Sequence, residues 1–320
     1  MLLRLGIAFL ISLILVIVIM PKYIDFLKRV SFNQTVSEYS LKEYKEKAKT
    51  PTMGGVVFII VPLLVTLLMD YKIIFNLPAM IVLLSFLGYG LIGFIDDYII
   101  VIKHDNEGVK PRAKFLMQLV LAIVFFVFYQ DYAQLSIEVP ILHMLIPMSG
   151  LYALLVFFMF TGASNAVNLT DGMDGLAAGC SFISYSAFLV FALLANDVYI
   201  ATFIASLLGA LLGYLKFNVS PAKIFMGDTG SLALGATLAA IAMVLKKEIL
   251  LIIIGGVFVW ETLCVIIQIG SVKLRGKRVF KYTPIHYAFV LDGLSEKRVV
   301  KSFWLLALIC AIVGVIVGLI

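Results

Sequence analysis

Five carboxylates stand where chemistry is feasible in an otherwise apolar chain: Asp96 beside Asp97, Asp171 with Asp174, and Asp228. Adjacent carboxylates repel unless a cation or a shared proton offsets them. A hard divalent ion suits such a pair, because Mg²⁺ takes one or two carboxylates together with phosphate oxygens and retained waters. The pair then needs a third acid from elsewhere in the chain. Without a cation, Asp96 and Asp97 are an exposed doublet closing the run Gly90–Asp97, unfavourable to the dipole of the helix they would end.

The run from Asn165 to Gly175 places Asn165, Asn168, Asp171 and Asp174 at intervals of three. On a helical path that spacing puts them on one face. Gly172 and Gly175 let a backbone or ligand approach closely, and a helix starting there aims free N–H groups at an anion. An N-capped turn needs only one of the two Asp residues. Further on, Asp228, Thr229 and Ser231 form a capping cluster after Phe225, and Phe225 with Asn218 has the chemistry to stack on and hydrogen-bond a nucleobase. Thr50-Pro-Thr-Met-Gly-Gly opens an apolar run behind four lysines, Lys47 among them. His286 lies in a basic stretch. Glu261 and Gln268 interrupt an apolar one, where a buried charge marks either function or a partner in the bundle.

The elements that position these residues are membrane spans. Hydrophobic residues make up 62% of 320 positions and charged residues 14%, far below the ~25% charge of soluble domains. At about 20 apolar residues per crossing, ten spans are expected: 1–20, 53–69, 78–95, 115–130, 149–167, 176–195, 198–215, 231–245, 249–269 and 303–320. The fold class is an all-α polytopic membrane protein, read as one domain over 1–320. Three cysteines in apolar stretches show no disulfide or zinc spacing.

If the spans alternate, the segments 21–52, 96–114, 168–175, 216–230 and 270–302 share one side and hold 21 of the 25 Lys and Arg residues. Only Arg4, Lys72, Lys246 and Lys247 remain for the other. The positive-inside rule then puts the five segments in the cytoplasm and both termini outside. All five carboxylates fall on the same side, and the basic excess there suits lipid head groups or a phosphorylated substrate.

With these motifs in place, the chain resembles the phospho-N-acetylmuramoyl-pentapeptide transferase family, within the polyprenyl-phosphate N-acetylhexosamine-1-phosphate transferases. The resemblance rests on Thr50–Gly55, Gly93–Asp97, Asn165–Gly175 and Phe225–Gly235, in the family's order. It implies transfer of phospho-MurNAc-pentapeptide from UDP to undecaprenyl phosphate, giving lipid I and UMP, with Mg²⁺ as cofactor, in the bacterial cell membrane. Asp96, Asp97, Asp171, Asp228 and His286 match catalytic positions, with Asp228, Asp97 and Asp171 as metal candidates. Lys47, Asn218, Phe225 and Asp174 match the nucleoside pocket, and Asn165, Asn168 and Lys114 join them as substrate-binding candidates. The implied partners are the two substrates and membrane lipids, with a homodimer as a candidate assembly and no nucleic acid. The apolar segment broken by Gly255, Gly256 and Gly270 is a candidate groove for the polyprenyl chain.

Two departures stand out. The family's DDxxK pattern has Ile100 at its last position, with Lys103 as the nearest base, and the family's triple histidine reads His286-Tyr287-Ala288. A sister transferase using another UDP-HexNAc is therefore the alternative. A secondary transporter for an anionic solute is a remote one, since transporters favour midplane sites and internal repeats.

Overall fold

The computed structural model describes residues 1–30, 50–103 and 108–320; Lys47 lies outside them. Among the described residues, twelve α-helices, one 3₁₀ helix (Tyr71–Phe75, between α2 and α3) and one hairpin occur, the α-helices and strands in this order: α1 (Leu2–Arg29), α2 (Gly55–Met69), α3 (Leu77–Lys103), α4 (Pro111–Tyr129), β1 (Ser136–Val139), β2 (Met144–Pro147), α5 (Leu151–Thr170), α6 (Leu176–Leu194), α7 (Val198–Asn218), α8 (Gly227–Val244), α9 (Glu248–Ile254), α10 (Gly256–Arg275), α11 (Ile285–Leu291) and α12 (Glu296–Leu319). Among the described residues, nine helices are long and apolar enough to cross a membrane, and α2, at 15 residues, is the short tenth.

The bundle is layered by burial. In α7 and α8, 83% of the apolar stretch is buried, against 22% in α1, α4 and α12. Apolarity on every side is what a helix at the centre of a bundle requires. The small residues of α8, Gly227-Asp-Thr-Gly-Ser-Leu-Ala-Leu-Gly-Ala, let neighbouring backbones come close, as expected where packing rather than water exclusion joins helices. Helices α3 and α5 pack on α8, and α1 packs on α7.

Several boundaries differ from the sequence reading. Helix α1 runs through Pro21 to Arg29, and α3 runs past the acid pair to Lys103. Asp96 and Asp97 are thus inside a helix and buried, rather than an exposed doublet closing it. The ninth expected span is divided at Gly255 into α9 and α10. The stretch between spans four and five, without an assigned element in the sequence reading, forms the β1–β2 hairpin, with Ser136 opposite Pro147 and Val139 opposite Met144. The basic segment 270–302 contains α11, which packs between α10 and α12.

Candidate active site

The site begins where two helices touch backbone to backbone. A side chain at Gly93 of α3 would overlap the main chain of Asp228 and Thr229 in α8, so only glycine permits this crossing. One turn further along α3, Asp97 therefore reaches the first turn of α8. Its Oδ1 accepts from the Asp228 amide at 3.0 Å, and its Oδ2 accepts from the Thr229 amide at 3.0 Å and the Thr229 hydroxyl at 2.6 Å. The opening N–H groups of a helix have no partners of their own and favour a negative charge. Asp97 supplies both needs from a different helix, and in doing so fixes where Asp228 sits.

Asp228 faces a small cluster drawn from four helices. Its Oδ2 lies 2.5 Å from the Lys114 ammonium of α4, which is also 3.4 Å from Asp96 Oδ1. Asp96 accepts a second bond from the Val109 amide at 3.0 Å. From α5, Asn168 Nδ2 donates to Asp228 Oδ1 at 2.6 Å and to Ser231 Oγ at 2.9 Å. Two carboxylates, Asp96 and Asp228, thus meet one ammonium among the described residues, with Asp97 beside them on the start of α8, leaving a surplus of negative charge. With 23% of the Asp228 side chain and 22% of the Lys114 side chain accessible, the cluster is open to a ligand.

The expected continuous face from Asn165 to Asp174 is interrupted, because α5 ends at Thr170 and Asp171 caps it. Asn165 turns back on the Thr161 carbonyl at 2.7 Å. Asp171 is half-buried in the turn that follows, one helical turn beyond Asn168. Asp174 and Asn218 splice that turn to the loop before α8. Asp174 Oδ2 accepts from the Ala222 amide at 3.0 Å, Asn218 Oδ1 accepts from the Gly175 amide at 3.0 Å, and Asn218 Nδ2 donates to the Ile224 carbonyl at 2.9 Å. Phe225, expected to be exposed, is half-buried, and its backbone is tied to the Pro51–Gly54 segment through bonds of 2.9 and 2.8 Å.

His286 is not displayed in a solvated basic loop. It is wholly buried, with Nδ1 2.9 Å from Glu261 Oε1, while Glu261 Oε2 accepts from the Ile285 amide at 2.8 Å. An ionised Glu261 carboxylate can only accept in this contact, which makes Nδ1 its donor. Nε2 has no partner among the described residues, and a side chain at Gly172 would collide with it. The imidazole is therefore aimed at the turn that begins with Asp171. Glu261, whose role the sequence left open, is thus the buried partner of the candidate His286; an acid inside an apolar span, in a chain with three histidines, was the signal.

Residues 79–246 match the model of glycosyl transferase family 4, and residues 47–59 match signature 1 of phospho-N-acetylmuramoyl-pentapeptide-transferase. A phospho-N-acetylmuramoyl-pentapeptide-transferase of Bacillus mycoides (strain KBAB4) is 46% identical over 316 residues, covering 98% of this chain and 96% of its own. One from Bacillus thuringiensis (strain Al Hakam) is 45% identical over 317 residues with the same coverage. The chain belongs to the phospho-N-acetylmuramoyl-pentapeptide transferase family.

Both departures from the transferase pattern acquire a structural setting. Ile100 stands where the transferases often carry lysine, and the ammonium that reaches the acid pair is Lys114, one helix on. Lys103 is exposed at the end of α3. In place of the second histidine, the Tyr287 hydroxyl donates to the Gly172 carbonyl at 3.0 Å. Burial pushes the Tyr287 phenol above its usual range, so it stays protonated as a donor. Ala288 is buried.

Proposed function

We propose that this transferase moves phospho-MurNAc-pentapeptide from its UDP carrier onto undecaprenyl phosphate, forming lipid I and UMP at the cytoplasmic face of the bacterial cell membrane, with both termini outside. The observation that carries the reading is the surplus of carboxylate around Lys114. Phosphoryl transfer asks a protein mainly to position its reactants and to neutralise charge, and a negative cluster facing a pyrophosphate is workable only with an added cation.

The donor set fits Mg²⁺. Asp228 and Asp96 offer hard oxygens that already converge on a single cation, the Lys114 ammonium. Asp228 would hold the metal, and bound Mg²⁺ supplies charge neutralisation for the phosphates; among the described residues no three His, Cys, Asp or Glu side chains group into a ready-made metal cage, so phosphate oxygens and waters complete the shell. Asp97, the other metal candidate, uses both oxygens on α8 and acts by holding Asp228 in place. Asn168 orients the Asp228 carboxylate. Asp96 is the base for the acceptor phosphate, and attack is direct rather than through an aspartyl-phosphate. His286, wholly buried with Nε2 aimed at the Gly172 turn, shapes that turn for the sugar-phosphate, while Phe225 and the loop pinned by Asn218 and Asp174 receive the nucleoside. A cavity of ≈ 450 Å³ walled by Phe158, Ala166, Leu238, Ile252, Phe258 and Leu263 suits the polyprenyl chain.

Transfer of label from UDP-MurNAc-pentapeptide to undecaprenyl phosphate, lost in EDTA and restored by Mg²⁺ or Mn²⁺, is the test. Transfer from UDP-GlcNAc instead would select the sister enzyme, which Tyr287 and Ala288 keep in view. Orientation is read separately: single cysteines at Lys110 and Lys281 in a cysteine-free background should react with an impermeant thiol reagent only from the cytoplasm, and one at Asp131 only from outside.

A further inference from the structure

The turn between α5 and α6 carries Asp171 and Asp174, and much of what holds it comes from outside it. Four of its main-chain groups are taken by side chains of three other helices. The Tyr287 hydroxyl of α11 donates to the Gly172 carbonyl at 3.0 Å, and Asn218 of α7 accepts from the Gly175 amide at 3.0 Å. The other two partners come from α12, a helix at the rim of the bundle with 22% of its apolar stretch buried. Glu296 Oε1 accepts from the Asp174 amide at 2.8 Å, and Trp304 Nε1, about two turns further along α12, donates to the Gly175 carbonyl at 3.1 Å.

Tryptophan near the end of a span ordinarily anchors in the head-group layer, and Trp304 turns inward instead. Its indole lies against Gly179 of α6, where an added Cβ would stand 2.1 Å from Nε1. Glycine leaves the room that lets the ring reach the Gly175 carbonyl. We propose, on the reading of Asp171 and Asp174 given above, that Glu296 and Trp304 are positioning residues of the transfer reaction, setting from α12 where those two acids stand toward the UDP-linked substrate. Asp174 in turn holds the Ala222 amide, so a shift of the turn passes to the loop that receives the nucleoside. The cavity assigned to the polyprenyl chain is walled by other residues. Loss of the α12 contacts therefore acts on the UDP substrate and spares the lipid acceptor.

The test titrates UDP, with Mg²⁺ present, into the full chain in nanodiscs and measures KM for both substrates on the folded fraction. Trp304→Phe removes the donor and keeps an aromatic ring, while Gly179→Ala displaces the indole without altering it. Each should weaken UDP binding and raise KM for UDP-MurNAc-pentapeptide by about three- to tenfold, the range of one neutral hydrogen bond. KM for undecaprenyl phosphate should stay within about twofold of the unmodified value. Glu296→Ala should cost about ten- to a hundredfold by the same measures, since a charge-assisted bond is lost. Glu296→Gln keeps an acceptor for the Asp174 amide and should recover most of that loss. A role in packing alone would lower the folded yield and leave UDP affinity unchanged in Trp304→Phe, Gly179→Ala and Glu296→Ala. That result, equal shifts in both KM values, or a Glu296→Gln protein as impaired as Glu296→Ala would each overturn the proposal. Failure of the unmodified protein to bind UDP would instead overturn the nucleoside reading beneath it.

Discussion

The two ends of the bundle carry ionic clusters of similar size and opposite design. At one end Asp96 and Asp228 share a single lysine, Lys114, with Asp97 alongside on the start of α8. At the other, Lys246 donates to the Gln134 carbonyl at 2.9 Å, to the Ser136 carbonyl and to the Tyr129 hydroxyl at 3.3 Å, and lies 4.9 Å from the centre of the Tyr152 ring. That lysine is committed to backbone and aromatic partners that anchor the hairpin, and the charges around it balance. A balanced and backbone-tied cluster holds structure together. An unbalanced one mounted on four helices holds a place for a ligand's charge.

The sharpest way to break this contrast is Asp228→Asn. The amide keeps the shape, and Asp97 still caps α8, so the fold should survive while transfer falls about 10²- to 10³-fold, the scale of one lost electrostatic contact in an active site. Near-normal lipid I formation by Asp228→Asn protein would remove the acid end's claim to chemistry. Lys114→Gln should cost less, about ten- to a hundredfold, from loss of a charge-assisted contact. It should also move a second quantity the other way: with the competing ammonium gone, the Mg²⁺ concentration for half-maximal activity should drop. A rise in that concentration would mean Lys114 does not share the cation's position.

The His286 region sharpens the comparison, because the imidazole is wholly buried and its Nε2 has no partner among the described residues. His286→Ala should reduce transfer roughly ten- to two hundredfold. Glu261→Gln retains an acceptor for the imidazole and should lose about tenfold, with the loss in kcat rather than in KM for UDP-MurNAc-pentapeptide if the carboxylate acts by orienting Nε2. A pure stability defect would instead lower the amount of folded enzyme and leave kcat per folded molecule alone. Full activity of His286→Ala would assign the Gly172 turn to packing.

How far these arrangements were legible follows from range. The spans were readable because hydrocarbon length is a local property of about 20 residues, and all ten correspond to helices in the structure. Asp96, Asp97 and Asp228 were readable as a candidate group because acids are rare in such a chain. What no local pattern contains is which oxygen is already occupied: Asp97 caps α8 only because Gly93, four residues earlier, allows the backbones to meet. The Glu261–His286 pair is likewise set by α11 folding back along α10. The β1–β2 hairpin went unread because its short strands lie between spans and are anchored by Lys246 and Lys247, about a hundred residues later. Phe225 looked exposed because its neighbours are polar, yet its loop is fastened to Pro51–Gly54 by backbone bonds that leave no signature in side-chain type.

The smallest effect on activity is expected at the opposite end, from Tyr152→Phe. This substitution removes the hydroxyl that lies 2.5 Å from Glu248 Oε1 and 2.9 Å from the Tyr129 hydroxyl, leaving the ring stack of Tyr129 and Tyr152 in place. Removing one partner of a buried charge-assisted hydrogen bond costs about 1 to 3 kcal/mol, so the thermal midpoint of the purified protein should fall clearly. Transfer by the surviving folded fraction should stay within about twofold, because every residue proposed to touch the reacting phosphates, sugar or nucleoside belongs to the other end and the helices between are unchanged. The decisive measurement is therefore paired: melting and turnover on the same preparation at a temperature well below the midpoint. A loss of turnover as large as that of His286→Ala, at a temperature where the variant is folded, would show that the balanced cluster reaches the chemistry across the bilayer. Loss of stability alone would confirm the division, with balanced charge fastening the hairpin to the bundle and unbalanced charge left for the substrate and its metal.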